Sequence, residues 1–93
     1  MAKAVLVNLK DNVVTAVTDV RDSEEVTYEA GSELRQIKTQ EVVPFGHKIA
    51  ISRIAKGGDI IKYGETIGRA ATDIDAGQWV HSHNTQETYV PSR

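Results

Sequence analysis

Apolar positions in the first third of the chain recur every second residue in short stretches rich in β-branched side chains, which predicts strands rather than helices. Val5, Val7 and Leu9 fall on one face of a first run, and Val13 to Val17 forms a second. Asp11-Asn12 between them suits a tight turn, so a hairpin is the simplest expectation. Glu25 to Ala30 and Glu33 to Ile37 flank Ala30-Gly31-Ser32 and predict two further strands reversing over a glycine. The texture then changes. Gly46, Gly57, Gly58, Gly64, Gly68 and Gly77 divide the next segment into pieces too short for long helices. Candidate strands there are Ile49-Ala50-Ile51, Ile60-Ile61-Lys62-Tyr63, Thr66-Ile67 and Trp79-Val80-His81, with room for one or two helical turns near Ser52 to Ala55 or Thr72 to Ala76. Ile54-Ala55-Lys56-Gly57 and Ile74-Asp75-Ala76-Gly77 share an Ile-x-x-Gly pattern. Two turns of one geometry account for that echo, and so does the general frequency of glycine at turns.

Composition narrows the function classes. A chain of 93 residues is one domain with a thin core, burying about 60 to 65% of its unfolded surface. With 11 Lys+Arg against 13 Asp+Glu, the net charge of -2 leaves no basic stripe for nucleic acid. The absence of cysteine excludes disulfides, thiolate nucleophiles and Cys-ligated metals. No stretch approaches the roughly 20 apolar residues that span a bilayer, and the run Ala4 to Leu9 is too short for a secretory segment, so a cytoplasmic protein is expected. The polar tail Thr85 to Arg93 is expected to fray or to lie along a partner.

Any metal must therefore bind through imidazole or oxygen. His81-Ser82-His83 follows the apolar pair Trp79-Val80, and on an extended strand residues i and i+2 share a face, which lets two imidazoles converge on one ion. A third ligand would come from His47, from Asp73 or Asp75, from a partner chain or from substrate; the plain alternative is a solvated pair near the terminus. His47 and Lys48 leave the Pro44-Phe45-Gly46 turn side by side. They could bind a carboxylate or act as acid and base, although neighbours on a strand point to opposite faces. Lys62-Tyr63-Gly64-Glu65 has the pattern of a hairpin turn, Trp79 that of a core anchor, and Asp59, Asp73 and Asp75 that of turn residues. No catalytic triad order, phosphate-cradling loop or dinucleotide fingerprint is present.

Taken in order, Gly46-His47-Lys48-Ile49-Ala50, Ile54-Ala55-Lys56-Gly57, Ile61-Lys62-Tyr63-Gly64, Ile67-Gly68 and the run Asp73-Ile74-Asp75-Ala76-Gly77-Gln78-Trp79-Val80-His81-Ser82-His83-Asn84 closely resemble the N-terminal region of the altronate and galactarate dehydratase family, the SAF domain. Residues 43–84 carry the match. Residues 1–42 fit loosely, through Asp11-Asn12-Val13-Val14, and 85–93 form the tail. The resemblance implies a mostly β, β-clip fold over 1–93 with at most one or two helical turns. It also implies part of a hydro-lyase that removes water from a sugar acid with help from a divalent metal, iron or manganese.

In that family a much larger catalytic region follows the small domain or sits on a separate chain, so the resemblance implies a small subunit or N-terminal domain that is not catalytic alone. Carried over by residue, it places His47 and Lys48 in catalysis, Lys48 and Asn84 on substrate, and His81 and His83 on the metal. The implied partners are a large lyase subunit and a sugar-acid substrate, with a homo-oligomer also open. Two alternatives stand beside it: the small subunit of a sulfolactate sulfo-lyase, with a similar Gly-His-Lys and His-x-His-Asn pattern, and a β-clip module that binds sugar acids without chemistry.

Overall fold

The computed structural model describes residues 2–86, and everything below concerns those residues. They form an all-β domain of short strands: β1 (Ala2–Val5), β2 (Val13–Ala16), β3 (Glu25–Ala30), β4 (Glu33–Lys38), β5 (Lys48–Ala50), β6 (Asp59–Lys62), β7 (Glu65–Ala70), β8 (Trp79–Val80) and β9 (Thr85–Gln86). One sheet has the order β4-β3-β1-β2-β5-β8, the other β6-β7-β9. The main core lies against the first sheet around Ala4, Val14, Ala16, Val26, Tyr28 and Ile49. A second cluster, with Val13, Ala50, Ile60, Ala70 and Val80, fills the space between the two sheets.

The expected hairpins form, with differences at the chain ends. β3 pairs antiparallel with β4 as the alternation predicts, and β1 with β2, but β1 is Ala2–Val5 rather than the Val5-to-Leu9 run, and a loop over 6–12 replaces a tight turn at Asp11-Asn12. The buried face of β1, however, is Ala2 and Ala4, while Val5, Val7 and Leu9 are exposed. β1 lies between β2 and a parallel β3, where small alanines leave room for the larger Val26 and Tyr28 of the neighbouring strand. No helical turn appears among the described residues. The two candidate stretches, near Ser52 and Thr72, instead surround an isolated bridge between Ile54 and Ile74. Thr85 and Gln86, expected to begin a fraying tail, pair with Ala70 and Arg69 as β9; residues 87–93 of that expected tail lie outside the described residues.

The Ile-x-x-Gly echo proves to be a structural unit, and it recurs beyond the two copies visible in sequence. Val20, Val43, Ile54 and Ile74 are all buried, and the residue three positions on has positive φ in each case: Ser23 (62°), Gly46 (86°), Gly57 (83°) and Gly77 (92°). The units work as reciprocal pairs. Val20 and Val43 exchange both backbone hydrogen bonds at 3.0 Å, and Ile54 and Ile74 exchange theirs at 2.8 Å. Each positive-φ N–H then donates to the carbonyl just ahead of its mate: Gly46 to Ala16, Ser23 to Thr39, Gly57 to Ala70 and Gly77 to Ala50. A carboxylate completes each pair, Asp19 accepting from the Phe45 N–H (3.0 Å) and Asp73 from the Lys56 N–H (2.8 Å).

Asp11-Asn12 does more than turn the chain. The buried Asp11 carboxylate accepts the N–H groups of Asn8 (3.0 Å), Tyr63 (3.1 Å) and Gly64 (2.8 Å). The Asn12 side chain bonds the Ile61 N–H and the Asp59 carbonyl. Tyr63 (φ 59°) and Gly64 (φ 73°) are both left-handed, as a two-residue hairpin loop of the type I′ class requires. Asp11 thus stabilises a conformation that a tyrosine rarely adopts.

Gly77 gives the sharpest test of this framework. A Cβ there would run into the carbonyl oxygen of Lys38, and the φ of 92° is costly for any other residue, whereas a Cβ at Gly57 would meet open space. Gly77→Ala is expected to destabilise the chain clearly more than Gly57→Ala, which carries only the backbone strain of about 1–3 kcal/mol. Urea denaturation of the two variants checks the order.

Candidate functional site

The pairing of β5 with β8 builds the site. Lys48 lies opposite Val80 and Ile49 opposite Trp79, so the two histidine-bearing stretches meet at one end of the larger sheet, where β8 is the edge strand. Alternation along β5 then separates neighbours. Ile49 and Trp79 face the main core, and Ala50 and Val80 face the second sheet. His47 accordingly joins Trp79 on one side. Lys48 emerges on the other, in a cleft of about 400 Å³ lined also by Ile60, Ile67, Gly68, His81, Ser82, Thr85 and Gln86.

His81 connects the two sides because the chain stops being a strand at Val80. Residues 81–84 form a turn closed by the Asn84 N–H on the His81 carbonyl (3.1 Å). The buried Asn84 side chain holds that turn from within: its Oδ1 accepts the His81 N–H (3.0 Å) and its Nδ2 donates to the Trp79 carbonyl (2.7 Å). His81 therefore wraps over the sheet edge. Its ring stacks on the Trp79 indole at 5.3 Å between centroids and 10° between planes, lies 4.6 Å from the His47 ring, and lines the Lys48 cleft.

The strand geometry expected for His81-Ser82-His83 is thus replaced by a turn. Instead of converging as i and i+2 on one strand face, each imidazole packs on Trp79, His83 at 5.1 Å and 51°. The indole N–H donates to His47 Nδ1 at 3.1 Å. Among the described residues, no group of three His, Cys, Asp or Glu side chains is placed to hold a metal ion.

Local environment lowers the pKa of two cleft groups. Partial burial, and then the positive charge of Lys62, hold the Lys48 ammonium below its ordinary range. Lys48 has no carboxylate partner among the described ion pairs, which join Arg35 to Glu33, Arg53 to Asp73 and Asp75, and Arg69 to Asp59. His81 is likewise lowered, first by desolvation and then by His47, Lys48 and His83.

His47, Lys48, His81, His83 and Asn84 are brought to this edge, on two faces rather than one, whereas Asp73 and Asp75, the carboxylates offered as a third metal ligand, pair with Arg53 instead. Trp79, expected as a core anchor, does pack on the main core, but its ring also organises the three imidazoles. Glu41, which accepts the Trp79 backbone N–H at 3.0 Å, carried no sequence signal at all. Asn84, which the resemblance places on substrate, has both ends of its side-chain amide bonded to the backbone of the turn it closes, as an Asn in such a turn commonly does.

Comparison with known proteins decides what this edge belongs to. Residues 2–88 match the altronate/galactarate dehydratase SAF domain. The chain belongs to that family. It is 42% identical over 76 residues to an altronate dehydratase of Escherichia coli (strain K12), a stretch covering 82% of this chain and 14% of that protein. An altronate dehydratase of Bacillus subtilis (strain 168) is 34% identical over 86 residues, covering 92% of this chain and 16% of the relative. The alpha subunit of a (2R)-sulfolactate sulfo-lyase from Chromohalobacter salexigens is 39% identical over 51 residues, 55% of this chain and 54% of the subunit. The SAF chain therefore spans about one seventh of the dehydratases it matches.

Two measurements test the site's construction. Asn84→Ala removes both side-chain bonds of the closing turn and is expected to cost about 1–3 kcal/mol in urea denaturation. The second concerns pH. His81 takes up a proton less readily in the folded chain than in the unfolded one, so stability rises with pH across the window between its lowered value and the ordinary 6.5, and is lost as pH falls through it. His81→Gln is expected to flatten that part of a stability profile recorded from about pH 7.5 to about pH 5.

Proposed function

We propose that this SAF domain is the small domain or small subunit of a sugar-acid hydro-lyase of the altronate dehydratase kind. It presents His47, Lys48, His81 and His83 at a sheet edge to an active site that a large lyase region completes. Family membership supports the reaction class. The observation that carries the site is the position of His81, in contact with the His47–Trp79 pair on one face and lining the Lys48 cleft on the other.

Dehydration of a sugar acid needs the α-proton removed, the β-hydroxyl protonated as it leaves, and the carboxylate held throughout. The Lys48 side chain, without a carboxylate partner among the described residues, suits the substrate carboxylate. His81, its imidazole held below the ordinary range by desolvation and then by His47, can accept or return a proton, and His47 stands beside it as a second polar group. Asn84 contributes by fixing the turn that carries His81, its amide being committed to backbone. The divalent iron or manganese expected for the assembled enzyme does not fit the described residues alone, for His47 Nδ1 is occupied by the indole and no third ligand is near. The described residues would lend a metal His81 and His83 at most.

Assembled with its complementing large lyase chain, the protein should lose turnover on His81→Ala by about 10²- to 10⁴-fold, the range of a lost acid or base, and on His47→Ala by about 10²- to 10³-fold, the range of a lost hydrogen-bond donor at developing charge. Full turnover and unchanged metal content in His47→Ala, His81→Ala and His83→Ala alike would remove the site assignment. The 400 Å³ cleft, lined by this chain alone, also favours a second reading, a sugar-acid-binding module without chemistry. Calorimetry of the isolated chain with aldonates, aldarates and sulfolactate separates the two: full-affinity binding without the large chain supports the module.

A further inference from the structure

We propose that Trp79 is a positioning residue that fixes His47 as a hydrogen-bond donor through Nε2, and that the ligand atom met by His47 is consequently an oxygen acceptor rather than a metal ion. The proposal rests on the site described above, but its first measurement does not. An indole N–H can only donate, so the 3.1 Å contact from Trp79 Nε1 requires a lone pair on His47 Nδ1. In a neutral imidazole the single ring proton must then sit on Nε2. Neither nitrogen remains free to bind a cation or to accept a proton while that bond persists. What His47 offers outward is an N–H, matched by a carboxylate, hydroxyl or carbonyl oxygen.

The indole is well placed to enforce this state because its residue is anchored from several sides. Its residue is held on both backbone sides, the N–H by Glu41 Oε2 at 3.0 Å and the carbonyl by Asn84 Nδ2 at 2.7 Å. It lies directly opposite Ile49 in the β5–β8 ladder, and its ring packs partly into the main core. His47 is fixed from its own side, its carbonyl accepting the Ala16 N–H (2.9 Å) and its N–H donating to the Pro44 carbonyl (3.1 Å). The two rings meet edge to face, 5.5 Å apart at 66°, which aims the indole edge at the imidazole. Donor and acceptor thus sit on strands and strand ends rather than on a long loop, the arrangement that holds a functional group most tightly. The same geometry separates the roles of the histidines: His81 and His83 touch the indole through their rings, while His47 alone receives its proton.

The test uses the ¹⁵N-labelled chain as it stands. Nitrogen–nitrogen scalar coupling across the hydrogen bond should link Trp79 Nε1 to His47 Nδ1, and long-range proton–nitrogen correlations should place the His47 ring proton on Nε2. Absence of that coupling, or a proton on Nδ1, overturns the proposal with no variant needed. Trp79→Phe keeps a ring in the core and removes the N–H. It should relax His47 to a mixture of tautomers while the amide spectrum of β1, β3 and β4 stays in place; an unchanged His47 signature in that variant also overturns the proposal. In the assembled enzyme, Trp79→Phe should lower kcat by roughly 10- to 100-fold with KM little changed, the scale on which partners that orient an imidazole act. Added to His47→Ala it should cause no further loss of kcat, whereas a purely packing role would make the two losses multiply. Coupling present together with His47→Ala at full turnover would leave the tautomer assignment standing and strike only the catalytic reading of the site.

Discussion

Reciprocal pairing of short turns is the constraint on which the rest of this domain depends. A chain this small, with strands of two to six residues, cannot rely on long ladders for cohesion. Val20 with Val43, and Ile54 with Ile74, solve that problem by burying a branched side chain and exchanging two backbone bonds at each crossing. Each crossing also carries two positive-φ residues whose N–H groups reach back to the strand ends. The second crossing runs directly into the contact of β5 with β8, since Gly77 bonds Ala50 and Ala50 in turn bonds Gln78. The ladder that gathers the histidines is therefore an extension of a turn pair, and it inherits its register from it.

That register explains why one motif serves two faces. His47 and Lys48 are adjacent in sequence and could not share a site on a regular strand, and they do not. The domain places them back to back through the sheet and lets His81 come round the edge to meet both. Only an edge strand permits this. In the interior of the sheet a neighbouring strand would occupy the space through which residues 81–84 turn.

Much of this was visible in the sequence, and the rest was hidden for identifiable reasons. Hairpins announced by Gly31 and by Tyr63-Gly64 were legible because turn chemistry is local. The repeated turn was half legible: Ile54 and Ile74 share glycine, but Val20 is followed by Ser23, whose φ of 62° breaks the pattern while keeping the geometry. The burial of β1 on Ala2 and Ala4 was not legible, because alternation alone does not say which of two apolar faces turns inward. At the site, the histidines stood out by type and spacing. The hydrogen bond between Trp79 and His47 did not, as it joins residues 32 apart through a strand pairing no local rule specifies.

The single tryptophan of the chain has one more consequence. Its indole stacks on one imidazole, tilts against another and donates its proton to the third, so its excited state samples the charge and packing of every histidine in the cluster. Emission from this protein has no other indole to dilute it. The domain thus carries a built-in optical gauge of its own candidate site, readable without a label, on which the arrival of an anion, a metal or a docking chain would register as a change in brightness or colour.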